Sequence, residues 1–94
     1  MELLKGLNVV VTGAASGIGA ETAVVAAEAG ARVALLDLKP EAAEEIAAGL
    51  PGGPVVRGCD IADIAGTRTV FDDLQQALGC IDAVVHAAGI WFPR

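Results

Sequence analysis

Apolar residues in this chain come in short runs broken by glycine, proline and carboxylates, and successive runs change their period. Leu7–Thr12 is rich in valine, the pattern of a strand buried on both faces. Gly17–Ala29 follows as an alanine-rich helix stopped by Gly30, glycine being favoured just past a helix end. Ala31–Leu36 predicts a second strand ending at Asp37. Pro40 suits the first turn of a helix, which Glu41–Ala48 continues as far as Gly49. Leu50-Pro51-Gly52-Gly53-Pro54 fits neither element and predicts a connecting loop. Val55–Cys59 reads as a short third strand. Asp63 is placed to cap a third helix, on which Val70, Leu74 and Leu78 recur every fourth residue until Gly79. Ile81–His86 is the fourth strand, followed by Ala87-Ala88-Gly89.

The order βαβαβαβ, with right-handed crossovers, predicts an α/β fold: a parallel sheet with helices on both faces. In a doubly wound sheet of order 3-2-1-4-5-6, these four strands are the first half plus one, in the order 3-2-1-4. The 94 residues make one domain at most, near the lower end of independent stability, with no internal repeat or linker.

Composition narrows the choice of partner. The chain is 54% hydrophobic, mostly Ala and Val, with one Trp, two Phe and no Tyr, which suits small-residue helices on a buried sheet. A net charge of −6 argues against a nucleic-acid reader, which should be basic. No run approaches the roughly 20 apolar residues of a membrane span, and the N-terminus lacks the pattern of a signal peptide. A cytoplasmic location is therefore expected. Cys59 and Cys80 fall at opposite ends of the sheet and are expected to be two buried free thiols.

The junction between the first strand and the first helix carries the candidate chemistry. Thr12-Gly13-Ala14-Ala15-Ser16-Gly17-Ile18-Gly19 breaks a buried strand into three glycines and then a helix. Glycines in such a corner can make a tight turn, admit a ligand and let helix pack on sheet. The helix start then aims unpaired N–H groups and a positive dipole end at an anion such as a diphosphate. The spacing is G-x-x-x-G-x-G, and an ordinary tight turn with no ligand is the alternative. No G-K-[ST] is present, which excludes a P-loop NTPase.

Four motifs in order, from Thr12-Gly13…Gly17-Ile18-Gly19 through Asp37 and Asp60-Ile61 to Ala88-Gly89, resemble the short-chain dehydrogenase/reductase family over about residues 4–90. All fall at carboxyl ends of predicted strands, where open α/β sheets bind ligands. The resemblance implies a Rossmann-like fold, truncated after four strands, with cofactor-binding residues Gly13, Ser16, Gly17, Ile18, Gly19, Asp37, Asp60, Ile61, Ala88 and Gly89. By it, Ser16 and Ile18 line the pyrophosphate, with Gly17 giving clearance. Asp37 lies 18 residues after Gly19, near the spacing of an acid that binds a ribose 2′-hydroxyl. Such a carboxylate repels a 2′-phosphate, so NAD is expected over NADP; capping the next helix is its other reading. Asp60-Ile61 resembles the pair that meets the adenine ring, or else forms a turn ahead of Asp63. By analogy, the Thr12 hydroxyl ties the first strand to the fourth; otherwise Thr12 is an ordinary strand former. His86-Ala87-Ala88-Gly89 departs from the family's commoner Asn-Asn-Ala-Gly, and a structural or ribose-side role is expected for His86. Paired carboxylates at Glu44-Glu45 and Asp72-Asp73 are read as solvated helix faces, and no metal site is expected.

The family's proton transfer uses Ser, Tyr and Lys, and the chain cannot supply them. It has no tyrosine, its lysines are Lys5 and Lys39, and its one serine is Ser16. The expected function is thus the NAD-binding portion of an oxidoreductase that moves hydride between a hydroxyl or carbonyl carbon and nicotinamide. Residues 1–94 would form the dinucleotide-binding half-domain, inactive alone, with the catalytic half absent. A non-catalytic dinucleotide-binding module and an inert folding fragment are the alternatives. The fourth strand, with Val84 and Val85 poorly covered, is expected to favour self-association through an open edge.

Overall fold

The computed structural model describes residues 2–87. Its elements are β1 (Asn8–Thr12), α1 (Gly17–Glu28), β2 (Arg32–Asp37), α2 (Pro40–Ala47), β3 (Val55–Gly58), α3 (Ile64–Leu78) and β4 (Ala83–His86). The four strands form one parallel sheet in the order β3-β2-β1-β4, as the alternation of runs predicts.

Side chains alternate across the sheet and build two cores. Val9, Val11, Val33 and Leu35 face α1 and α2, where Ala23, Ala26, Ala27, Ala43 and Ala47 supply the covering surface. Methyl-sized side chains let both helices lie close to the valine-rich strands. Val10, Ala34 and Leu36 face the opposite way, onto Leu74 of α3 and Cys59, with Val70, Phe71 and Leu78 partly buried around them. The two faces of β1 and β2 are thus both covered, which is why these strands read as continuous apolar runs.

Each helix start matches a local signal. Ser16 caps α1 by accepting the Gly19 N–H, Pro40 opens α2, and Asp63 caps α3 by accepting the Gly66 N–H at 3.0 Å. Gly79, at φ +91°, ends α3 in a conformation that an L side chain rarely adopts.

The chain departs from expectation around the start of β4. Ladder pairing begins at Ala83; just before it, the Asp82 N–H donates to the Asn8 carbonyl at 2.9 Å, and a side-chain bond joins the same two residues. The Asn8 N–H donates to Asp82 Oδ2 at 2.7 Å, and Asn8 Nδ2 donates to the carbonyls of Leu78 and Cys80. Within the 79–82 segment Ile81 packs partly buried against the Leu74 core, while Cys80 is exposed rather than buried. Cys59 is the buried thiol, and both cysteines are free. No helix among the described residues is long and apolar enough to cross a membrane.

Candidate dinucleotide cleft

The carboxyl ends of all four strands open into one cleft of about 490 Å³, within the roughly 300–1,000 Å³ usual for ligand sites. Of the residues singled out in the sequence, Gly13, Ser16, Asp37, Asp60 and Ile61 line it together. Leu36, Leu38, Cys59, Ala62 and His86 complete the wall. Ala88 and Gly89 lie outside the described residues.

The three glycines of the β1–α1 corner have different surroundings. Gly13, at φ +67°, makes the turn out of β1 in a left-handed conformation. A Cβ on Gly17 would meet nothing within 4 Å, so this position opens onto free space at the first residue of α1. A Cβ on Gly19 would collide with the carbonyl group of Gly13, so that glycine is what lets α1 seat on the corner.

Ser16 is turned inward to the corner rather than left free. Its hydroxyl donates to the Gly13 carbonyl at 2.7 Å and accepts from the Gly19 N–H at 3.1 Å. The N–H groups of Gly17 and Ile18 have no acceptor among the described residues, leaving a positive helix start beside an open position. The side chain of Ile18 is 60% exposed at this end of the helix.

Asp37 closes the corner from the neighbouring strand. Its Oδ2 accepts the N–H of Ala15, within the glycine loop, at 2.9 Å, and its Oδ1 accepts the N–H of Lys39 at 2.9 Å. The cap position of α2 is Lys39, without a side-chain cap bond, so Asp37 forms the turn leading to that helix rather than capping it. The acid thus faces the cleft while holding the loop that flanks it.

Asp60 also forms a local turn. Its Oδ1 accepts the Ala62 N–H at 3.0 Å, and its carbonyl accepts from the Asp63 N–H and the Thr67 hydroxyl. Asp60 thus makes the turn ahead of Asp63 and also lines the cleft. Leu38 (69% exposed) and Ile61 present apolar surface to the same space.

Thr12 ties β1 to β4 as the analogy implies. Its buried hydroxyl lies 2.7 Å from His86 Nδ1, and the register pairs the two residues across the strands. Position-by-position motifs missed Leu36, Leu38, Cys59 and Ala62, although each adjoins a residue that was singled out. Strand ends bring neighbours in sequence into the cleft together, and that adjacency was the available signal. Glu44, Glu45, Asp72 and Asp73 are exposed, with Asp73 paired to Arg57 at 2.6 Å.

A family model described as short chain dehydrogenase matches residues 7–94. D-threitol dehydrogenase of Mycolicibacterium smegmatis is 46% identical over 90 residues, covering 93% of this chain and 35% of that protein. D-xylose 1-dehydrogenase of Caulobacter vibrioides is 39% identical over 89 residues, covering 92% of this chain and 34% of that protein. A crystal structure of a short-chain type dehydrogenase/reductase from Mycobacterium marinum superposes with a TM-score of 0.87 at 35% identity, over 97% of this chain and 38% of that one. The chain spans about a third of the length of the curated relatives it matches.

Proposed function

The chain belongs to the short-chain dehydrogenase/reductase family, and on that premise we propose that it seats NAD in the strand-end cleft as the dinucleotide-binding portion of an oxidoreductase. The diphosphate occupies the open position at Gly17, against the free N–H groups of Gly17 and Ile18. One adenosine lies over β2 and β3, its ribose hydroxyls donating to Asp37 and its ring meeting Asp60, Leu38 and Ile61. Ala88 and Gly89 belong to the same reading and lie past β4 in sequence.

The observation that supports this reading is the bond from Ala15 to Asp37, which puts a carboxylate and the open start of α1 on one rim. Both oxygens of Asp37 already accept a backbone N–H, yet each keeps a lone pair for a hydroxyl donor. A 2′-phosphate at the same place meets like charge, which favours NAD over NADP.

The whole protein, in this reading, transfers hydride between a hydroxyl or carbonyl carbon and nicotinamide. NAD supplies the hydride-accepting ring; this chain's residues bind and orient its adenosine and diphosphate. With no tyrosine and no lysine besides Lys5 and Lys39, these residues cannot perform the family's proton transfer, so the chain alone gives no turnover. The reading includes a cytoplasmic location, supported by two free thiols, and pairing of the β4 edge with a further strand, supported by Val84 at 50% exposure.

Calorimetric titration tests it. NAD should give saturable heat, and NADP at equal concentration should bind at least about tenfold more weakly. Absence of saturation with either nucleotide overturns the binding role, and equal affinities overturn the part assigned to Asp37.

A further inference from the structure

His86 is the chain's only histidine, it lines the cleft, and one of its two ring nitrogens is committed. Thr12 is 2% exposed, and the only hydrogen-bond partner of its hydroxyl among the described residues is His86 Nδ1, at 2.7 Å. A hydroxyl carries one proton to donate, and leaving that donor unmet in a buried site is costly. Among the described residues, the Thr12 proton is satisfied only if Nδ1 accepts it. An accepting Nδ1 places the imidazole proton on Nε2, since which nitrogen is protonated follows from the bond the other one makes.

We propose that Thr12 fixes His86 as the Nε2–H tautomer, so that the ring presents a neutral N–H donor to the far half of a bound dinucleotide. The position follows from the sheet order. Asp60, Asp37 and Gly13 mark the ends of β3, β2 and β1 along the cleft, and His86 ends β4, one strand spacing of ~4.8 Å beyond the glycine corner. With adenosine over β2 and β3 and the diphosphate at the corner, the ligand's second sugar passes His86. Its hydroxyl oxygens are acceptors that a neutral N–H can serve. Thr12 is the positioning residue and His86 the contacting one. The contact rests on the nucleotide reading above; the tautomer does not.

Two measurements test the two parts. In the chain labelled with nitrogen-15, two-bond nitrogen–proton correlations of the single imidazole, at about pH 8 where an ordinary imidazole is neutral, should show the Nε2–H pattern. Thr12→Val, checked for retained fold by circular dichroism, should give a mixture of tautomers. An Nδ1–H pattern in the unaltered chain overturns the proposal, as does a tautomer that Thr12→Val leaves unchanged. For the contact, ADP and NAD are titrated into the chain and into His86→Ala and His86→Gln. The alanine variant should lose about 3- to 10-fold in NAD affinity with ADP unchanged, and glutamine should restore part of the loss. Unchanged NAD affinity, or an equal loss for ADP, overturns the contact alone. Failure of the unaltered chain to bind either ligand overturns the nucleotide reading and the contact with it.

Discussion

Gly17 and Gly19 flank one isoleucine, yet a methyl group added at each has opposite consequences. At Gly17 the added carbon stands in free space and the backbone is compatible with alanine, so Gly17→Ala should leave stability unchanged or raise it by up to about 1 kcal/mol. In calorimetry the same variant should lose NAD binding, because the methyl would fill the place proposed for the diphosphate. Gly19→Ala drives a carbon into the Gly13 carbonyl and should cost about 3 kcal/mol in urea unfolding. Loss of stability in both variants, with binding retained in neither, would remove the distinction between a clearance glycine and a packing glycine. Asp37→Ala should abolish any preference between NAD and NADP. It should also destabilise the chain by about 2 kcal/mol, since two backbone donors lose a charged acceptor. The place of Asp37 was legible from its distance to the glycines. Its bond to Ala15 was not, because 22 residues of sequence separate the partners and only the pairing of β1 with β2 brings them together. Thr12 was legible through resemblance, whereas the nitrogen it meets follows from the Thr12–His86 register.

At the scale of elements, every strand and helix could be read from hydrophobic runs and their stop signals, and the differences lie at ends. β4 begins two residues later than the apolar run suggests, with Asn8 and Asp82 bonded to each other just before it. Polar side chains that bond across strands do not show in a hydrophobic pattern, and Cys80 was misplaced with them. β4 pairs on one side only among the described residues, and Val84 on it is half exposed. Open strand edges with apolar side chains are templates for further pairing. Sedimentation velocity should therefore show self-association of the chain, and Val84→Lys should shift it toward monomer without loss of helix signal. A chain that sediments as a monomer at all concentrations contradicts this role for the edge.

Over the whole molecule, the acidic balance and the parallel sheet were legible from composition and alternation, while the cleft as a continuous space was not. It arises only when four strand ends, far apart in sequence, are set side by side. Ligand binding to the folded state alone raises stability by mass action, about 2.7 kcal/mol at a hundredfold excess over Kd. NAD at that excess should raise the melting midpoint by about 10 °C or more for a chain of this size. NADP at the same concentration, bound at least about tenfold more weakly, should raise it by no more than about half as much. The two faces of the sheet are unequally fastened: α1 and α2 share one core, whereas α3 holds the other with Leu74 as its only fully buried side chain. Amide hydrogens of α3 should accordingly exchange with solvent well before those of α1, as a separately opening unit. Asp60 and Ile61 lie in the turn that feeds α3, so each such opening also unmakes their end of the cleft. A nucleotide held there would slow exchange in a helix it never touches, and the chain would report occupancy from the opposite side of its own sheet.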